Sequence, residues 1–320
     1  MKKVISLILV ITMIAALFTG CGAKKEADTL KIAIIQQLDH SSLDEIRTAV
    51  AAEINKVASE KGLTVEIKEY NGQNDTSVLN QIAADVMAEN FDMAIPIATL
   101  AATSMVTAAE GSDMPIVYAA ISDPVSAGLT GLDKVTGVSD ALNTPFILDM
   151  MLAAQPDITS VGLLYSNSEI NSETPIKEAK AYLDEKGIAY VEKTGNTTGE
   201  ITEAAASLVG RVQAVFTPTD NVVMAAEATV AELLNANGIA HYTGADSFVT
   251  SGGFATCGVN YTELGTKVGA MAMDILCGGD IGEFVVMDGG IITVNTTTAK
   301  AIGVDYSPFS TMANTIVEVN

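Results

Sequence analysis

The chain has 320 residues, 17 of them basic and 39 acidic, for a formal net charge of −22, and it has no tryptophan. Hydrophobic residues make up 48%, which excludes an intrinsically disordered chain. The negative charge excludes nucleic acid and anionic lipid as electrostatic partners.

Residues 1–20 read as a signal peptide. Lys2 and Lys3 precede an apolar run from Val4 to Phe18, and small residues follow. The run falls short of the roughly 20 apolar residues of a membrane span. Thr19-Gly20-Cys21, followed by a polar stretch to residue 29, is similar to a lipobox, where the cysteine is lipidated and becomes the first mature residue. That similarity implies a membrane tether over 21–29. An ordinary cleaved signal with an incidental cysteine is the alternative. The first 20 residues hold two lysines and no acid, so the rest of the chain carries a net charge near −24.

From residue 30 onward, strands and helices alternate. Residues 30–35 (LKIAII) are an apolar, β-rich run. Residues 43–62 carry a helical stripe at Leu43, Ile46, Val50, Ile54 and Val57, with Gly62 as the stop. Residues 63–70 alternate as a strand. Residues 76–90 are helical, with Asp75 or Thr76 as N-cap. A strand (91–98), a helix (99–111) and a strand (115–120) follow. The order then repeats: strand 160–166, helix 174–187, strand 188–194, helix 200–210, strand 212–218, helix 221–238, strand 239–244. Apolar strands separated by helices indicate parallel sheets covered on both faces.

The two halves overlay at nearly constant spacing: Gly62 with Gly187, Asp92 with Gln213, and Ile116 with Ala240. Three matches in order support two lobes of one α/β architecture. The expected division is 30–138 with 262–288 for lobe 1, and 139–261 with 289–320 for lobe 2.

In open α/β sheets, ligands sit beyond the carboxyl ends of strands. Polar residues collect at those ends here: Gln37, His40, Thr99, Ser122 and Asp123 in the first half, and Asn167, Ser168, Thr219, Asp220, Asn221 and Asp246 in the second. Each is equally an ordinary helix cap when taken singly. Taken together, hydroxyls and helix N-termini in one lobe suit a carboxylate. Asp220 and Asp246 in the other suit an ammonium group. A zwitterionic amino acid between the lobes would use both. Pro124 biases Asp123 toward an extended turn, where it either meets ligand or caps the turn. For an aromatic ligand, Tyr118, Tyr165 and Tyr242 lie near strand ends as possible walls.

The stretches KIAIIQQLDHSSLDEIR (31–47), ISDPVSAGL (121–129), VTGVSD (135–140), SLVGRVQAVFTPTDNVV (207–223) and GVNYTELG (258–265) resemble those of ABC-transporter substrate-binding lipoproteins of the TrpX/TrpY type. The resemblance covers essentially the whole chain after residue 20. It implies a type I periplasmic-binding fold, two Rossmann-like lobes joined by a hinge, and an aromatic amino acid in the cleft. It also implies ABC permease subunits as partners, a monomer, and a location outside the cytoplasm. The eleven strand-end residues named above are the implied ligand set, Ser168 and Asp246 by position alone. The family often has Glu-His-Pro where this chain has Asp39-His40-Ser41.

No enzyme activity, metal or cofactor is expected. His40 and His241 lack zinc-ligand spacing, and no phosphate-binding loop or nucleophile elbow occurs. Cys257 and Cys277 are expected as two buried free thiols. Two further readings stay open: a ligand sensor of the same fold not coupled to transport, and a secreted α/β enzyme using His40 with its neighbouring serines.

Overall fold

The structure is a computed structural model that describes residues 29–320. The signal-peptide reading and Cys21 lie outside the described residues.

Lobe 1 begins with β1 (Leu30–Gln36), α1 (Ser41–Lys61), β2 (Val65–Asn71), α2 (Thr76–Ala88), β3 (Met93–Ile97), α3 (Thr99–Ala108), β4 (Ile116–Ala119) and β5 (Val135–Ser139). The chain then enters lobe 2 with α4 (Thr144–Ala154), β6 (Ser160–Tyr165), a 3-10 turn (Ile170–Ser172), α5 (Glu173–Lys186), β7 (Ala189–Thr194), α6 (Thr198–Ala206), β8 (Ala214–Thr217), α7 (Asn221–Ala236), β9 (Ala240–Thr243), α8 (Asp246–Thr250) and β10 (Ala255–Gly258). It returns to lobe 1 with α9 (Tyr261–Leu276) and β11 (Val285–Val286). It ends in lobe 2 with β12 (Ile291–Asn295), α10 (Thr296–Ile302) and β13 (Thr315–Val319).

The lobe 1 sheet runs β11-β5-β4-β3-β1-β2 and the lobe 2 sheet runs β13-β12-β10-β9-β8-β6-β7. All pairings are parallel except β10 with β12. Both sheets contain the same doubly wound core, so the repeat read in the sequence is a repeat of topology. At the far edge of lobe 2, β12 lies beside β10 as β11 lies beside β5 in lobe 1, and β13 is an additional strand with no counterpart there.

Alternation along the strands fills both faces. Ile32 and Ile34 pack on the α1/α9 side, while Ala33 and Ile35 face α2 and α3. In lobe 2, Val215 packs with α6 and α7, and Phe216 with α4 and α5. Full burial of such side chains stabilises by roughly 1.5–3 kcal/mol each. Two glycines seat α9 on α1. A Cβ on Gly265 would lie 2.6 Å from the Ile46 carbonyl oxygen, and one on Gly269 would lie 2.9 Å from that of Val50. Gly62 and Gly187 end α1 and α5 in the left-handed conformation, φ 66° and 67°, as stop signals require.

One cysteine expectation fails. Cys257 and Cys277 are both free, but only Cys257 is buried. Cys277 caps the C-terminus of α9 on the exposed side, where the apolar stripe of that helix has already turned away.

Candidate functional site

The carboxyl ends of both sheets face each other across a small cavity of about 30 Å³. Lobe 1 supplies His40 and Ser42 at the start of α1, Ala98 and Thr99 after β3, and Ala120 and Ser122 after β4. Lobe 2 supplies Asn171, Thr219, Asp220, Asn221, Ser247 and Phe248. Asp140, on the crossing after β5, and Tyr261, at the start of α9, complete the wall. Pockets for small ligands run about 300–1,000 Å³, so an amino acid enters only when the lobes part.

The lobes are held together by direct polar contacts. Ser42 Oγ donates to Ser247 Oγ at 2.6 Å, and Gln37 Nε2 donates to Glu169 Oε1 at 2.8 Å. His40 Nε2 lies 3.0 Å from Asn221 Oδ1. Thr174 Oγ1 donates to Asp123 Oδ2 at 2.7 Å. Ser122 Oγ donates its one proton to Asp140 Oδ1 at 3.0 Å, so Thr219 Oγ1, 2.9 Å away, is the donor to Ser122.

Protonation at His40 follows from its neighbours. Asn221 Nδ2 donates to Glu169 Oε2 at 2.7 Å, which turns Oδ1 toward His40. An amide oxygen only accepts, so Nε2 carries the ring proton. Burial lowers the His40 pKa, against hydrogen bonding from Asn221 and the charges of Asp44 and Asp39. The ring is therefore neutral, and Nδ1 is a buried acceptor with no hydrogen-bond partner among the described residues.

Two neighbouring carboxylates in lobe 2 differ in satisfaction. Asp220 is fully buried. Its Oδ1 accepts from Val223 N at 2.9 Å, and its Oδ2 accepts from Ser166 N and Ser172 Oγ, both at 2.7 Å. Burial raises its pKa and these donors oppose the rise. Glu169 is pushed up to about 8, first by burial and then by the charge of Asp220.

Of the residues singled out by sequence, His40, Thr99, Ser122, Thr219, Asp220 and Asn221 line the cavity. Gln37 does not: its Oε1 accepts from Leu100 N at 3.0 Å, capping α3, while Nε2 bridges the lobes. Asp123 holds its own turn through Ser126 N at 2.9 Å and meets lobe 2 only at Thr174. Asn167 and Ser168 turn back onto lobe 2, to Thr194 and Ser166. Asp246 is one residue off: its neighbours Ala245 and Ser247 line the cavity instead. The expected aromatic wall also moves. Tyr118 and Tyr242 are fully buried in the sheets and Tyr165 bonds Glu192 at 2.9 Å. The aromatic lining is Tyr261 and Phe248.

Reading strand ends missed Asp140, because it sits on a crossing rather than at a helix start. It also missed Ala98 and Ala120, at φ 74° and 55°. Positive φ has a sequence signal in glycine or asparagine, and alanine gives none.

A family model described as ABC transporter substrate binding protein matches residues 31–313. The chain belongs to that family. It is 30% identical to a tyrosine-binding protein of Clostridioides difficile (strain R20291), over 94% of this chain and 92% of that one. It overlays on a Streptococcus pneumonia ABC domain in complex with L-Trp with TM-score 0.84 at 27% identity, covering 90% of this chain and all of that one. A ligand-free, open structure of a Clostridium difficile substrate binding protein with adhesive properties overlays with TM-score 0.68 at 30% identity, covering 91% and 99%. Identity is no lower for the open structure, yet its overlay is poorer.

Proposed function

We propose that this ABC transporter substrate binding protein captures an aromatic amino acid between its lobes and delivers it to a membrane permease. The single observation that carries this reading is the cavity itself: an apolar and aromatic wall (Met224, Phe248, Tyr261) against a ring of hydroxyls, amides and carboxylates. Relatives described with tyrosine and with L-Trp support the aromatic class.

The ligand carboxylate fits the start of α3. Its N-cap residue, Ala98, offers no side-chain cap and Gln37 Oε1 covers only Leu100 N, so part of the positive end of the helix remains open to the cavity. Thr99 stands at that same end. In the sequence-derived ligand set, His40, Ser122, Thr219 and Asn221 act as direct contacts. Gln37, Asp123, Asn167, Ser168 and Asp246 act behind them, as caps and latches. The bodies that close are 30–138 with 262–288 and 139–261 with 289–320. Outside the cytoplasm, lipidated Cys21 would tether a monomer to the membrane, as its lipobox-like context supports. The protein acts by binding and closure rather than by catalysis.

Calorimetry against the twenty amino acids tests the reading. An aromatic amino acid binding at micromolar Kd or tighter is the expected outcome. Binding no tighter than millimolar for all twenty overturns it.

A further inference from the structure

The cavity wall contains two buried carboxylates, and the amino-acid reading needs one of them for the ligand ammonium. Asp220 has donors on both oxygens, two of them backbone N–H groups fixed by the fold. A third donor, the Ser172 hydroxyl, lies wholly within lobe 2 and is fully buried. An ammonium reaching Asp220 would compete with donors that cannot move.

Asp140 is also buried, at 6% exposed, but its side-chain donors are two hydroxyls, one from each of two other elements, and no main-chain N–H of a helix start is committed to it as Val223 N is to Asp220. Ser122 Oγ reaches Oδ1 at 3.0 Å and Tyr261 OH reaches Oδ2 at 3.2 Å. Each hydroxyl uses one lone-pair site, and a carboxylate offers about four. Among the described residues, no lysine or arginine lines the cavity. Asp140 also borders a larger pocket of about 570 Å³ formed by the three crossings between lobes. Protein therefore does not wall it in on every side. Burial raises its pKa and the two hydroxyl bonds oppose the rise, as for a carboxylate lacking its cation.

We propose that Asp140, and not Asp220, receives the ammonium group of the amino-acid ligand, with Tyr261 and Ser122 orienting its two oxygens. This rests on the aromatic amino-acid reading above. Placed on a crossing, the pair also links the ligand charge to the segment that bends during closure.

The test is titration calorimetry with L-tryptophan and L-tyrosine beside their des-amino analogues, indole-3-propionate and 3-(4-hydroxyphenyl)propionate. Asp140→Asn keeps the shape, and one of the two hydroxyls turns to accept from the new amide. It is expected to weaken the amino acid by about 100-fold, while the des-amino analogue changes by less than about threefold. Asp220→Asn is expected to lower Tm and leave the ratio of amino acid to analogue within about threefold of wild type. An Asp140→Asn protein that binds the amino acid like wild type overturns the assignment. Equal losses for both ligands, or a ratio that moves in Asp220→Asn instead, also overturn it. Wild type binding neither amino acid overturns the ligand class itself, and the assignment with it. Should Asp140→Asn fail to fold, a crystal structure of wild type with L-tryptophan decides. Its nitrogen is expected within about 3.2 Å of an Asp140 oxygen, and nitrogen on Asp220 overturns the proposal.

Discussion

In lobe 1, α3 starts at Ala98 with no side-chain cap, and Gln37 from another strand end covers only Leu100 N. In lobe 2, the matching helix α7 starts at Asp220, whose own carboxylate caps Val223 N. The two helices occupy the same place in the repeated topology. One presents a helix end to the cavity; the other has already filled it. A duplicated fold thus gives two chemically different walls, and strand-end residues at equivalent positions take different roles. A carboxylate at a helix start is a ligand group only when the helix does not consume it.

The largest effect that tests this contrast is on stability. Asp220→Ala removes a cap and strands three buried donors. The expected cost is about 3 kcal/mol or more, a Tm drop of roughly 6–12 °C. Asp123→Ala, at the partly exposed turn of lobe 1, is expected to cost about 1 kcal/mol or less. Calorimetric melting of both variants compares them, and similar losses would remove the distinction between the walls.

Next in size is the response of closure to pH. Glu169 is held near a pKa of about 8 in the closed form by burial and the charge of Asp220. Opening exposes Glu169 to water and removes the burial that raises it most, so its pKa falls toward the ordinary carboxylate range, although the Asp220 charge in the same lobe and the loss of the Gln37 bond both oppose that fall. The raised pKa means the closed form binds the proton more tightly. Its contribution to closure is complete below the ordinary value and is lost as pH rises through 8. Asp140 shifts in the same direction by burial, and adds to this. Asp123 shifts the other way: burial raises it, but bonds from Ser126 and Thr174 prevail. Its contribution is lost only toward acid. Closure is therefore expected to weaken between about pH 5 and 8, by up to about 1.4 kcal/mol per pH unit for each linked proton. Dyes placed across the cleft would read it, and a closed fraction that rises over this range would contradict the Glu169 assignment.

A smaller effect concerns the ring of the ligand. His40 Nδ1 is a bare, buried acceptor in lobe 1. A ligand ring with a donor, phenol or indole, satisfies it; a phenyl ring does not. L-tyrosine or L-tryptophan is expected to bind at least about tenfold more tightly than L-phenylalanine. His40→Phe should narrow that gap. Equal affinities in wild type would show that Nδ1 meets no ring donor.

Much of this was legible in the sequence because burial on two sheet faces leaves a strong pattern. Strands β1, β3, β4, β6, β8 and β9 are apolar runs between helical stripes, the edge strands β2 and β7 are mixed, and glycine marked where α1 and α5 stop. The strand-end rule found His40, Thr99, Ser122, Thr219, Asp220 and Asn221 in the cavity. It could not rank them, because a cap and a ligand contact have the same residue types. Nor could it find Asp140 and Tyr261. They meet through a contact between residues 121 positions apart, set by the crossings rather than by local pattern. Asp246 stands between two residues that line the cavity, Ala245 and Ser247, at the start of α8, and strand-end position alone does not say which of the three faces in.

The smallest effect isolates the backbone. Ala98 sits at φ 74° and ψ 162°, a region that costs a side-chain-bearing residue about 1–3 kcal/mol. It is held there by its N–H bond to Ala119 O at 3.0 Å. Glycine adopts this geometry without the clash, but enlarges the unfolded ensemble by about 0.4–1 kcal/mol. Ala98→Gly is thus expected to stabilise by about 1 kcal/mol, or roughly 2–4 °C in Tm. The repeat places Thr219 at the equivalent position in lobe 2, and Thr219 is not among the residues with positive φ. Thr219→Gly has no strain to relieve and is expected to lower Tm. Opposite signs at two topologically equivalent positions would locate the strain in lobe 1, at the start of α3. Equal signs would mean that the Ala98 conformation costs the fold nothing.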